Sequence, residues 1–258
     1  SIDEAMAGYC DRIAVTIRKD KKVTVTDNGR GIPTEIHPQT GVSALETVMT
    51  TLHSGAKFGG ERYKVCGGLH GVGAAVVNAL SPRFRVDVRR EGKLYRQEYE
   101  CGVPQSEVML IGDSDGSGST TTFLPDKEIF SKLDYDFDAL AQFLREMAFL
   151  NKGLEINFND EGQERELTFY FEGGITSFAR HLNRKRAVLH PRPIHLVKMV
   201  DSTLIEAAIQ YNATFAESTL SFANCVNTSD GGTHLTGFRT ALTRALNDYA
   251  RKYKLLKE

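Results

Sequence analysis

From Ser54 to Gly73 the chain runs SGAKFGGERYKVCGGLHGVG, twenty residues that include seven glycines and show no apolar period. So long a stretch without its own secondary structure is uncommon inside a compact domain, and it usually serves as a functional lid. Helical patterns flank it. Ahead of it, Ser43-Ala44-Leu45-Glu46 reads as a capping box, opening a helix with Leu45, Val48, Met49 and Leu52 at helical spacing. Behind it, Val72–Leu80 is apolar and alanine-rich, which suits a buried helix. Glycine-flanked N–H groups at a helix start can wrap an anion, and Lys57 and Lys64 would add charge. The spacing is neither a Walker A loop nor a dinucleotide fingerprint. On its own, the stretch reads equally well as a flexible linker.

The remaining pattern predicts strands mixed with helices. Residues 12–18 alternate, with Ile13, Val15 and Ile17 on one face, and 22–27 alternate again after Lys19-Asp20-Lys21, so the two read as an antiparallel hairpin. Residues 1–9 read as a helix with Ser1 and Glu4 placed as a second capping box. Strands are predicted near 83–90, 93–100, 106–111 and 119–124, a helix at 137–150, and a hairpin at 153–172. This order predicts an α+β two-layer sandwich of a mainly antiparallel sheet and helices. Glu172-Gly173-Gly174 marks a boundary, giving domains at 1–174 and 175–258. The second is read as an incomplete α/β domain: a helix at 175–183, a loop with Pro191 and Pro193, long strands at 203–212 and 217–226, and a helix at 232–252.

Asp27-Asn28-Gly29-Arg30-Gly31-Ile32-Pro33 holds the sharpest chemical signal. Strand parity places Asp27 on the buried face with Val23 and Val25. A carboxylate there is costly unless it finds a partner, and the exocyclic amine of a purine donates where a carboxylate accepts. Asp-Asn-Gly is also ordinary turn chemistry, and the segment alone leaves both readings open.

Composition excludes several classes. Apolar residues at 41% and charged residues at 25% are globular averages. No apolar run approaches the roughly 18 residues of a membrane helix, and the first ten residues lack the pattern of a signal peptide, so a soluble protein without a membrane partner is expected. Cys10, Cys66, Cys101 and Cys225 form no CxxC pair, which fits a reducing cytoplasm rather than a zinc site or disulfide framework. A net charge of −1 means any contact with DNA must be local.

Taken together, SIDEAMAGYCDRI, VTDNGRGIP, TTLHSGAKFGGERYKVCGGLHGVGAAVVNALS and DGGTHLTGFRTALTRALNDY resemble the ATPase subunits of bacterial gyrase and topoisomerase IV, members of the GHKL superfamily. The resemblance spans most of the chain. It implies the Bergerat fold followed by part of a transducer domain, with ATP and Mg²⁺ as cofactors. It implies that Asp27 reads the adenine amine and that Gly31 lets the base approach. Arg30, Ile32, Pro33 and Val48 would line the pocket, with Glu4 pairing Arg30. Leu69, His70, Gly71, Val72 and Gly73 would bind phosphates, with Lys57 and Tyr63 in the same lid. Ser119 stands where the family carries Thr and would hold an adenine-bound water. Arg90 matches a rim arginine met by competitive inhibitors, although strand parity alone makes it a solvated residue. Cys66 departs from the family's Ser in the lid.

The resemblance also places the general-base Glu and the magnesium-binding Asn upstream of Ser1, the Asn immediately before it. A γ-phosphate lysine is expected from a Gln-Thr-Lys loop that no segment here contains. The chain therefore reads as an internal fragment with no catalytic or metal-ligating residue of its own. For the intact protein, ATP hydrolysis would be coupled to DNA strand passage and negative supercoiling. Its partners would be the gyrase A protein, in an A2B2 assembly, and DNA, with ATPase domains pairing on ATP binding. Arg239, Arg244 and Arg251 would face the DNA or form an ordinary solvated face. The other readings are decatenation by topoisomerase IV and a nucleotide-binding module without turnover.

Overall fold

The computed structural model describes residues 1–38, 40–52 and 72–255. Of the expected lid, only Val72 and Gly73 lie within them; Lys57, Tyr63, Lys64, Cys66, Leu69, His70 and Gly71 fall outside the described residues. In chain order the elements are α1 (Ile2–Met6), β1 (Arg12–Ile17), β2 (Val23–Asp27), α2 (Ala44–Thr50), α3 (Gly73–Ala79), β3 (Arg83–Arg90), β4 (Lys93–Glu100), β5 (Val103–Pro104), β6 (Met109–Asp113) and β7 (Gly118–Leu124). Then come α4 (Phe137–Leu150), β8 (Glu155–Asp160), β9 (Arg165–Phe169), α5 (Ile175–Leu182), β10 (Ile194–Val200), β11 (Thr203–Ile209), β12 (Phe222–Ala223), β13 (Val226–Asn227) and α6 (Thr233–Lys252).

The main sheet runs β5-β4-β3-β7-β2-β1-β8-β9, with β6 also paired to β4. Only the β1–β8 pairing is parallel; the other pairings in this sheet are antiparallel. Register explains the two layers. Val86, Thr121, Val25, Val15 and Phe158 form one row across five strands. Leu45 and Met49 of α2 pack on the β3 end of that face, beside Val86 and Val88. Phe137 of α4 stacks on Phe158 at the β8 end, with ring centroids 4.6 Å apart. Both helices therefore cover the same face. The other face is polar, and Thr24 pairs with Thr122, and Thr26 with Thr120, through hydroxyls 3.2 Å apart.

Contact density divides the chain into residues 1–214 and 215–258. Within the first unit, Phe149 of α4 stacks on Phe171 and on Phe178 of α5, at 3.7 and 4.7 Å, so aromatic packing bridges the Glu172-Gly173-Gly174 turn. Within the second, Ser221 and Thr228 tie the short β12–β13 ladder, Thr228 contacts His234 at 3.1 Å, and α6 follows with none of its residues buried.

Several expectations need correcting. The helix at the start is shorter than 1–9, and its capping box does not form, because Ser1 and Glu4 turn to Asp27 and Arg30 instead. At α2 the box is half formed: Ser43 accepts from Glu46 N, while the Glu46 carboxylate takes the buried amide of Gln97 at 2.7 Å. The 106–111 strand lies at Met109–Asp113, with a bulge opposite Leu94 and Tyr95. Residues 203–212 and 217–226 are not two long strands. Thr203–Ile209 pairs back with Ile194–Val200, which the prolines had marked as loop, and 217–226 contributes only the two residues of β12 and Val226 of β13. Pro191 and Pro193 in fact stop just before β10, where a missing N–H costs the ladder nothing.

Candidate functional site

The site is built where β2 ends, beside the start of β7. Asp27 is the last residue of β2 and only 7% exposed. Its Oδ1 accepts the backbone N–H of Gly29 at 3.0 Å and of Ser119 at 3.2 Å. Its Oδ2 accepts the Ser1 hydroxyl at 2.7 Å. A carboxylate has about four acceptor positions, so this buried group retains one on Oδ2 beyond its three donors. The turn after Asp27 is also tied to β1. Asn28 Oδ1 accepts the N–H groups of Asp11 and Arg12, and its Nδ2 donates to Asp11 at 2.6 Å, which pins the exit from β2 to the entry of β1.

Close backbone approach needs glycine at two positions. Gly31 has φ +77°, and a Cβ there would sit 2.6 Å from the Arg89 carbonyl. Gly118 has φ +137°, and a Cβ there would overlap the Asp27 carbonyl oxygen. Only glycine meets both demands without strain. Ser119 follows, also buried, and its hydroxyl accepts Ile32 N–H at 3.3 Å. Ser119 thus links the Gly31–Ile32 backbone to Asp27 through its own N–H.

Arg30 is held more firmly than an exposed pair would be. Its Nε and Nη2 donate to the two oxygens of Glu4 at 2.7 and 3.0 Å, and its backbone N–H also donates to Glu4. The Tyr9 ring lies under the guanidinium at 3.5 Å. A two-pronged, partly buried pair stacked on an aromatic ring fixes orientation in a way an isolated surface pair does not. Arg90 is partly buried rather than solvated: Nη1 donates to the Gly31 carbonyl at 3.3 Å, and Glu35 and Glu91 lie at 3.6 and 3.3 Å. Its neighbour Arg89 donates to the Asp27 carbonyl at 3.2 Å.

Ile32 and Val48 both pack beside the Leu45–Met49–Val88 core cluster, which gives this corner an apolar wall. Pro33 is half-buried. Val72 caps α3, and Gly73, its first residue, has nothing within 4 Å of a built Cβ. Cys10 sits close by, a free buried thiol donating to the Arg12 carbonyl; burial, with some help from Asp27, pushes it up from the ordinary thiol range. The corner thus brings together Asp27, Arg30, Gly31, Ile32, Ser119 and Arg90. Sequence reasoning missed Ser1, Tyr9, Arg89 and Gly118. Gly118 alone carried a legible sign, as the glycine just before Ser119 at the start of a strand.

Residues 1–129 match the family model described as histidine kinase-, DNA gyrase B-, and HSP90-like ATPase, and residues 174–258 match the DNA gyrase B model. The DNA gyrase B protein of Halalkalibacterium halodurans is 53% identical over 260 residues, covering all of this chain and 41% of that protein. The DNA gyrase B protein of Thermotoga maritima is 48% identical over 266 residues, again over the whole chain and 42% of the relative. The chain therefore spans about two fifths of the curated relatives it matches. Among solved structures, the 43K ATPase domain of Thermus thermophilus gyrase B in complex with an aminocoumarin superposes with a TM-score of 0.85 at 37% identity, over 100% of this chain and 66% of that one.

Proposed function

The chain belongs to the family of histidine kinase-, DNA gyrase B- and HSP90-like ATPases, in its DNA gyrase B branch, and from that premise we propose that it forms the ATP-binding region of a gyrase B protein. The observation that carries the nucleotide reading is the buried Asp27 carboxylate, three of whose acceptor positions face Gly29, Ser119 and Ser1, leaving one for the exocyclic amine of adenine. Gly31 lets the base lie against the backbone, Ser119 holds a water shared with it, and Ile32, Pro33 and Val48 supply the apolar wall. Arg30, fixed by Glu4 and Tyr9, closes one side, and Arg90 forms the rim.

In this reading the phosphates lie toward the start of α3, against Val72 and Gly73, with Lys57, Tyr63, Leu69, His70 and Gly71 of the lid completing their cradle. Magnesium would accompany the triphosphate and offset its charge. The domains assigned are 1–174 for nucleotide binding and 175–258 as part of a transducer; the family models, which end at 129 and begin again at 174, support that division. In the full-length protein, ATP turnover would drive DNA strand passage and negative supercoiling with the gyrase A protein, in pairs of ATPase domains, in the cytoplasm. No described helix is long and apolar enough to cross a membrane.

Two measurements test the nucleotide reading. An ATP analogue should bind about 5- to 150-fold more tightly than its GTP counterpart, because guanine presents the O6 acceptor to an acceptor; a mispaired buried polar contact costs about 1–3 kcal/mol. Competition calorimetry giving equal affinities would remove the adenine assignment. Gly73→Ala should leave the melting temperature unchanged, since a Cβ there meets open space. It should nevertheless weaken triphosphate binding several-fold while sparing a base-only competitor. Equal losses for both ligands would move the phosphates away from α3.

A further inference from the structure

Between Glu172 and Asp201 the chain carries six Arg and Lys and no Asp or Glu, within a protein whose net charge is −1. Four of the six, Arg184, Lys185, Arg186 and Arg192, fall in the strap that joins α5 to β10, and all four are exposed. Among the described residues none of the four lies in an ion pair with a carboxylate; Arg184 meets the ring of His181 instead. The other basic cluster behaves differently: on α6, Arg239 is paired with Glu217 at 2.7 Å and Arg244 lies 3.8 Å from Asp248.

The strap is held in place by uncharged groups. Buried Asn183 donates to the Gln210 carbonyl and side chain at 3.2 Å and accepts from Asn212 at 2.8 Å. Gln210 Nε2 reaches the His190 carbonyl at 3.2 Å, and His190 Nε2 accepts the Tyr211 N–H at 2.9 Å. Backbone bonds from Leu189 to Tyr211 and from Ala213 to Ala187 complete the staple. Amides and one imidazole therefore order this backbone, and the staple does not depend on the cations. Burial, then Arg184 and Arg145, push His181 below its ordinary range.

We propose that the α5–β10 strap, through Arg184, Lys185, Arg186 and Arg192, is a phosphate-backbone contact for duplex DNA. Cations without carboxylate partners on a pre-ordered backbone release counterions from DNA without first breaking internal ion pairs. Three of the four are Arg, whose fork matches phosphate oxygens two at a time. The contact fixes position on the duplex and reads no base sequence. It rests on the reading that DNA is the partner of this family member.

The test is fluorescence anisotropy of a labelled duplex DNA titrated with the chain across about 50 to 200 mM salt. The triple variant Arg184→Gln/Lys185→Gln/Arg186→Gln should bind at least tenfold more weakly at the low-salt end. Its slope of log affinity against log salt should be flatter by about 2 to 3, and Arg192→Gln alone should flatten it by about 1. Melting temperature and ADP affinity should match the unmodified chain, which separates failure of this contact from failure of the nucleotide site. An unchanged slope in the triple variant overturns the proposal. So does loss of DNA binding only on Arg239→Gln/Arg244→Gln, or binding to phosphatidylglycerol vesicles with none to DNA.

Discussion

Asp27→Asn is expected to weaken ADP and ATP-analogue binding by about 2–5 kcal/mol, well beyond tenfold, in a protein that still folds. The substitution keeps the volume of the side chain and a carbonyl oxygen, so Gly29 and Ser119 can still donate to Oδ1. The change falls on the Oδ2 side. An amide nitrogen there donates, and it would meet both the Ser1 hydroxyl, which can reverse its own proton, and the adenine amine, which cannot. The cost is therefore concentrated in the complex. Titration calorimetry with ADP should show the loss, and circular dichroism should show a melting temperature within a few degrees of the unmodified chain. Unchanged ADP affinity in the folded variant would exclude Asp27 from the site. A collapse of the fold would mean that Asp27 serves the β2–β7 junction first and any ligand second.

The same residue shows how much was legible in advance. Strand parity was enough to bury Asp27, because period-2 alternation from Val23 forces it inward whatever the partner. Of its companions Gly29 is local and Ser119 was expected from the resemblance, but Ser1 was not legible as a partner, because it comes from a distant segment. Ser1 and Glu4 carry the spacing of a capping box, a local pattern, yet both side chains find better partners 26 residues away. The desolvated Asp27 and the two-pronged Arg30 outweigh a helix cap worth about 1 kcal/mol. Ser43 kept its cap because only its Glu46 partner had a stronger alternative, in buried Gln97. Arg90 shows the same limit from the other side. Alternation in fact sets Arg90 on the face of buried Phe84, Val86 and Val88, so the solvated reading misapplied parity; the carbonyl it meets belongs to Gly31, and that approach depends on a positive φ that alternation does not encode. The strand at Ile194–Val200 was hidden by two prolines just ahead of it, although its partner Thr203–Ile209 is apolar enough to need one.

Gly118→Ala should be the more damaging change, although Gly118 carries no functional group. Gly118 begins β7, next to the end of β2, with φ +137°, a region L-residues avoid. An added Cβ would overlap the Asp27 carbonyl oxygen and approach Arg89 Nη2 to 2.9 Å. Arg89 is the end of a flexible side chain and can retreat, though it would give up its 3.2 Å bond to that same carbonyl. The carbonyl cannot move alone, since it belongs to the strand end that aims the Asp27 carboxylate. Relief must come from parting β2 and β7 or from turning the Gly118–Ser119 peptide, and either motion pulls the Ser119 N–H off Asp27 Oδ1. Backbone strain of about 1–3 kcal/mol joins the clash and a weakened buried hydrogen bond, for a loss of about 3–5 kcal/mol. In a chain of this size that lowers the melting temperature by roughly 10 °C. Nucleotide affinity should fall with stability, and a bound inhibitor should recover part of both, because binding to the folded state alone stabilises it by mass action. Gly116→Ala, also at positive φ (+75°) but with open space around its Cβ, is the matched control and should cost only the strain of its backbone conformation. Equal melting temperatures for the two variants would show that the β2–β7 junction is loose enough to absorb a methyl group. The tight placement of Asp27 against Ser119 would then not be what orders the site.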